Sequence, residues 1–219
     1  MQKNTLQLNA LLQSNPLIWQ GVKTTHQTHI CPSGWPLLDR LLPQGGWPLG
    51  NLIELMVANW GIGELQLVLP VLRQLAPKMS LWLDPPYRPY PPALLQQGVD
   101  LRLIRLLQLP QAQRLWAMEQ LLGNDSVGSV LCWANRLSNT QLRRLQLAAT
   151  KGGNLGFLFS STPHLATASA LRMRLDAAPN LIMVTLLKAK GLLEQRTLQI
   201  PLTDLSSSPL PHIKYQHEG

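Results

Sequence analysis

Apolar residues in this chain fall into two kinds of segment: short, nearly continuous runs and longer stretches with a helical repeat. Leu52-Ile53-Glu54-Leu55-Met56-Val57 is of the first kind and reads as a buried strand. A glycine-containing turn, Ala58 to Gly63, leads from it into Glu64–Ala76. There Leu65, Val68, Leu69, Leu72 and Leu75 mark one helical face. Pro70 lies inside that helix and is expected to kink it. A second short strand, Leu81–Leu83, stops at Asp84-Pro85-Pro86, and Pro89, Pro91 and Pro92 stiffen the loop before a helix near Ala93–Gln97. A third strand is expected at Leu101–Leu107. It precedes a helix Gln111–Leu122 with Leu115, Met118 and Leu122 on one side. Val127–Trp133 is the fourth strand, Asn139–Thr150 the next helix, ended by Gly152-Gly153, and Leu155–Phe159 the fifth strand. Residues 181–188 and 192–200 read as a β-hairpin turning at Ala189-Lys190-Gly191.

Strand and helix alternating over short connections demand an α/β fold: a mostly parallel sheet with helices on both faces, closed here by a C-terminal antiparallel hairpin. The flanks differ in character. Residues 1–29 form a polar arm in which Leu8, Leu11 and Leu12 fall at helical spacing before Asn15-Pro16, and a Ser/Pro-rich stretch follows Ser206. Gly and Pro punctuate Gly34–Gly50, which reads as a structured loop following a short helix. The expected organisation is an arm at 1–29, one domain at 30–203 and a flexible tail at 204–219.

Composition narrows the function. The 219 residues are 45% hydrophobic, an ordinary globular value that argues against extensive disorder. The net charge is +8, but basic residues are dispersed and form no block resembling a nucleic-acid tail. Such a surface suits an acidic protein partner, a weak phosphate contact or simple solubility. Cys31 and Cys132 have no metal-ligand spacing, and reduced thiols in a cytoplasmic protein are expected. No export signal and no membrane-spanning run is apparent, so no membrane association is expected. His164, His212 and His217 have no nucleophile or carboxylate at motif spacing and read as loop histidines.

The turn after the first main strand is the most informative segment. Strand, glycine turn and helix is the layout that cradles phosphates with backbone N–H groups and a helix N-terminus, and it requires G-x-x-x-x-G-K-[ST]. This chain reads Ala58-Asn59-Trp60-Gly61-Ile62-Gly63-Glu64-Leu65. Gly63 keeps the second glycine. Ala58 replaces the first, Glu64 replaces the lysine, and Leu65 replaces the magnesium-binding hydroxyl. A carboxylate facing a triphosphate is repelled by on the order of 1–4 kcal/mol at about 4 Å in a solvated site.

Just upstream lie Ser33-Gly34-Trp35-Pro36-Leu37-Leu38-Asp39 and Gly45-Gly46-Trp47-Pro48-Leu49-Gly50-Asn51-Leu52-Ile53-Glu54-Leu55. This run closely resembles the segment that enters the phosphate loop of RecA/RadA recombinases, and a looser likeness extends over residues 32–200. The resemblance implies a RecA-like core. It also shows further departures. The catalytic carboxylate expected after Leu81–Asp84 gives way to Pro85 and Pro86, the magnesium-linked acid falls near Trp133-Ala134, and the nucleotide-sensing glutamine falls near Ser161-Thr162. Four losses on one scaffold imply no enzyme, no bound cofactor and no metal.

A decayed core of this kind is similar to two families of the bacterial SOS DNA-damage response. One is ImuA, an accessory of error-prone translesion synthesis; the other is SulA, an inhibitor of cell division. The runs Trp60–Leu67, Leu81–Tyr87 and Leu155–Phe159 resemble both. The lead-in at Ser33–Gly50 and the strands after about residue 180 resemble ImuA more. The implied partners are RecA, ImuB and a DnaE-type polymerase, with FtsZ as the alternative, and the implied location is cytoplasmic, at the nucleoid through those partners. In RecA filaments a lysine pair matching Lys188 and Lys190 reaches a neighbour's ATP, so these two are candidate partner contacts; the alternative is a pair of solvated lysines at a hairpin turn. Arg143 and Arg144 are further candidates, although adjacent helical residues point about 100° apart. Arg172 and Arg174 follow the short segment Ser160–Ser169, which replaces the family's DNA-binding loop. It lacks the glycines and basic residues that track a nucleic acid, so strong direct binding is not expected. Trp35, Trp47 and Trp60 are expected to fill space near the vacated pocket or to pack the core.

Overall fold

The computed structural model describes residues 29–162 and 168–202. The segment of Leu8, Leu11 and Leu12, the three histidines named above and the tail after Ser206 lie outside the described residues. Strands β1 (Ile30–Cys31) and β2 (Trp47–Pro48) form a small antiparallel ribbon around helix α1 (Pro36–Leu41). Strands β3 (Leu52–Val57), β4 (Met79–Leu83), β5 (Ile104–Leu107), β6 (Val127–Trp133), β7 (Leu155–Ser160), β8 (Leu171–Ala178), β9 (Leu181–Lys188) and β10 (Arg196–Pro201) form one eight-stranded sheet. Its order is β10-β9-β8-β3-β7-β6-β4-β5. Every pairing from β8 to β5 is parallel, and β8-β9 and β9-β10 are antiparallel.

Helices cover both faces. Leu38 of α1, residues Leu69, Val71 and Leu72 of α2 (Leu69–Gln74) and Leu94 of α3 (Pro91–Gln96) join Ile53, Leu55, Trp82 and Phe157 in one core. On the other face, Met118 and Leu122 of α4 (Gln111–Leu122) and Leu142, Leu145 and Ala149 of α5 (Asn139–Gly152) pack on Leu52, Leu83, Val130 and Leu158. The central strands β6 and β7 are buried along their whole length, which accounts for their continuous apolar runs. Within them Ser129 Oγ donates to Ser80 Oγ at 2.8 Å, and the buried Trp82 Nε1 donates to the same oxygen at 2.9 Å.

The structure corrects the expected elements at five places. Pro70 ends one helix rather than kinking it. Glu64–Leu67 is a 3-10 turn, and α2 starts afresh at Leu69 with the proline where its missing N–H costs nothing. Leu101–Leu103 is a 3-10 turn instead of the start of a strand, because the Asp100 carboxylate accepts the Arg102 N–H at 2.9 Å and opens the turn. The Gly34–Gly50 loop contains α1 and β2. Strand β8 was not expected, although Leu171, Met173 and Leu175 alternate with Arg172, Arg174 and Asp176 at a strand's period of two. The hairpin is therefore three-stranded, and the last strand begins at Arg196 rather than 192. Among the described residues no helix is long and apolar enough to cross a membrane.

Candidate functional site

Strand β3 delivers the turn Ala58–Gly63 to the carboxyl edge of the parallel strands, where open α/β sheets bind ligands. Gly61 and Gly63 take left-handed backbone angles, φ 87° and 96°, which a side chain would strain. Glu64 then folds back. It is 5% exposed, and its two carboxylate oxygens accept the Gly61 N–H at 3.1 and 3.2 Å. A backbone donor that a phosphate would use in an intact loop is thus held by the chain's own carboxylate. Ile62 and Leu65 turn to the core, and a Cβ on Gly63 would lie 3.0 Å from the Leu202 side chain. Ala58 and Asn59 are exposed, and Trp60 is half-buried.

The lead-in holds this turn from below. Ser33 N–H donates to Asp39 at 2.8 Å, and Trp35 Nε1 donates to the Gln66 carbonyl at 3.2 Å. A Cβ on Gly34 would sit 2.3 Å from Pro70 Cβ, so only glycine fits there. Trp35 and Trp47 are buried, the latter edge-on to Phe157 at 5.3 Å, whereas Trp60 lines a cleft.

The remaining positions matched to nucleotide residues serve other bonds. Asp84 follows β4 at φ 49°; its carboxylate accepts the Leu109 N–H at 3.0 Å and pairs with Arg114 Nε at 2.6 Å. Arg114 also donates to the Trp133 carbonyl at 3.1 Å, tying the ends of β4 and β6 to α4. Trp133 stacks on Phe159 at 4.7 Å. Asn135 accepts the Ser161 N–H at 2.7 Å and the Ser160 hydroxyl at 3.0 Å, closing the ends of β6 and β7. Reading by motif missed Arg114 and Asn135, whose roles depend on strand order rather than on local spacing.

The four basic candidates are not brought together. Lys188 lies in β9 rather than at a solvated turn. Its ammonium donates to the Ser169 carbonyl at 2.8 Å, and burial lowers its pKa, with Glu54 opposing and Arg172 adding to the shift. Lys190 is exposed beside a cleft of about 340 Å³ at the amino ends of β3 and β8, the opposite end of the sheet from the Ala58–Leu65 turn. Arg144 pairs with Glu119 at 2.6 Å, near the start of α5, and Arg143 is exposed. Arg172 is buried against Glu54 at 3.1 Å, and Arg174 pairs with Asp176. Among the described residues no three His, Cys, Asp or Glu side chains group as metal ligands would.

Fold and turn together define a class: a mostly parallel α/β sheet whose strand–turn–helix unit keeps the layout of a phosphate loop but has a carboxylate in the lysine position. Comparison with known proteins carries this further. The family model "Cell division inhibitor SulA" matches residues 50–156. Protein ImuA of Caulobacter vibrioides (strain NA1000 / CB15N) is 27% identical over 176 residues, covering 72% of each chain. Cell division inhibitor SulA of Photorhabdus laumondii is 33% identical over 96 residues, 42% of this chain and 54% of that protein. Its namesake in Yersinia pestis (strain Pestoides F) is 33% identical over 96 residues, 42% and 57% respectively. These matches bear out the resemblance to the ImuA/SulA family read from the sequence.

Proposed function

We propose that this protein is a non-catalytic accessory of the SOS response that acts through protein contacts, in the manner of ImuA in error-prone translesion synthesis. The observation that carries the first part is the Glu64 carboxylate seated on the Gly61 N–H. A free triphosphate would have to displace it and would meet its charge, with no lysine or hydroxyl at the neighbouring positions to compensate. The match to an ImuA over 176 residues, against 96 for the SulA relatives, favours the translesion role. RecA, ImuB and a DnaE-type polymerase are the partners this reading names.

The second reading is a SulA-like division inhibitor acting on FtsZ. It is favoured by the family model, which covers the phosphate-loop region and the sheet core through Gly156. Capture of purified RecA, ImuB and FtsZ by the immobilised chain separates the two. Retention of RecA or ImuB without FtsZ supports the first, and retention of FtsZ alone replaces it with the second. Magnesium-dependent ATP turnover by the purified chain, lost on altering Ala58–Leu65, would refute both as non-catalytic readings.

A further inference from the structure

A cleft opens between α4 and α5 over the end of β6. Its inner part, about 360 Å³, lies between the two helices, and an adjoining part of about 420 Å³ runs toward Trp60. Gln111, Arg114, Ala134, Asn135 and Arg136 line both parts, so the two adjoin. Three guanidiniums, from Arg114, Arg136 and Arg144, border it against the single carboxylate of Glu119 in its lining. Gln111 and Ala112 open α4 behind Pro110, whose side chain cannot cap them, so the positive end of a 12-residue helix adds to the field. Trp116 lines the inner part and is 63% exposed, a large apolar surface left in water.

We infer that this cleft docks an acidic peptide segment of a partner protein, with a carboxylate entering beside Arg136 and an apolar side chain lying on Trp116. The cations are not equivalent. Arg114 is committed to Asp84 and Arg144 to Glu119, whereas Arg136 is exposed, stands at φ 57° and forms no ion pair among the described residues. A φ of that kind strains a non-glycine residue, and such strain is found clustered at binding sites. One unpaired guanidinium beside neutral amides matches one carboxylate. A nucleic-acid strand needs a run of unpaired cations following its phosphates, which this cleft does not offer. Trp and Arg, which both line this space, are also the residue types enriched at the energetic centres of protein interfaces.

The inference takes from the proposed function only that the chain works by protein contact. The test is selection of a random dodecapeptide phage library on the full chain, followed by titration of the best synthetic peptide against the chain and its Arg136→Gln and Trp116→Ala variants. Both residues are exposed, and matching thermal melts confirm that the variants are folded. The expected result is enrichment of Asp or Glu near an apolar residue, with a Kd raised about tenfold by either substitution, the loss of roughly one charged contact. Selected peptides without acidic residues, or a Kd unmoved by both substitutions, would overturn it. Tight binding of a twenty-nucleotide oligo-dT that Arg136→Gln abolishes would overturn it in favour of nucleic acid. Loss of the peptide site with capture of RecA or FtsZ intact would sink the cleft alone and leave the proposed function standing.

Discussion

Glu54 offers the sharpest test of how this core is balanced. It sits in the middle of β3 with no exposed surface, accepts Arg172 Nη2 at 3.1 Å and takes the Ser169 hydroxyl as well. At an effective dielectric constant of about 20, two unit charges at that separation attract by about 5 kcal/mol. Removing each ion from water costs several kcal/mol, so the intact pair contributes little net stability. Removing one partner is different, because the other remains buried. Glu54→Leu takes this carboxylate away from the buried Arg172 guanidinium, with the half-buried Lys188 ammonium close enough for the two cations to perturb each other. The expected cost is about 3–5 kcal/mol, a large share of the roughly 5–15 kcal/mol that holds a domain together. Glu54→Leu combined with Arg172→Met removes both charges and should recover most of that loss, to within about 2 kcal/mol of the unmodified chain. Urea unfolding followed by tryptophan fluorescence gives both values, provided the dependence on urea is unchanged between variants. A single substitution costing under about 1 kcal/mol, or a double as damaging as the single, would refute the reasoning.

Three further outcomes follow from local geometry. Ser138 and Gln141 form a reciprocal cap at the start of α5, so Ser138→Ala should cost about 1 kcal/mol, read as a lowered urea midpoint. A Cβ on Gly152 would lie 2.1 Å from the Leu122 carbonyl, whereas one on Gly153, at φ 67°, meets nothing within 4 Å. Gly152→Ala should therefore force α4 and α5 apart and lower the thermal midpoint far more than Gly153→Ala, which pays only backbone strain of about 1 kcal/mol. Burial raises the thiols of Cys31, with Asp39 adding to the shift, and Cys132, with Arg114 opposing, from 9.0 to about 12. Neither should react with a disulfide reagent at pH 8 until the chain unfolds. Because the folded pKa values lie above the unfolded ones, the stability these thiols contribute is intact below pH 9.0 and declines as pH rises toward 12.

Elements whose pattern is set by burial were legible in the amino-acid order. Leu52–Val57, Val127–Trp133 and Gln111–Leu122 occupy the residues that their patterns assign them, because the two strands are buried along nearly their whole length and the helix buries one face. Errors arose where a local bond overrode the pattern. At Leu101–Leu103 the Asp100 side chain captured a backbone N–H, and at Val68 a proline two residues on restarted the helix. The altered phosphate loop was visible as a run of residue types, since Glu64 and Leu65 stand where a cation and a hydroxyl are required. That Glu64 would turn inward onto Gly61 was not visible, because it depends on the two left-handed glycine angles. The pairing of Asp84 with Arg114 lay beyond reach for a different reason. Thirty positions separate them, and the adjacency of β4 to β5 and β6 in the sheet brings α4 and the end of β4 together.

The inward turn of Glu64 has a kinetic meaning as well. An anion tethered three positions from its donor sees that donor at a local concentration of roughly millimolar or above, and it cannot diffuse away. Phosphate, sulfate or nucleotide arriving from solution competes against a rival that rebinds after every opening. The shape of this end of the sheet is thereby set by a contact the chain itself supplies.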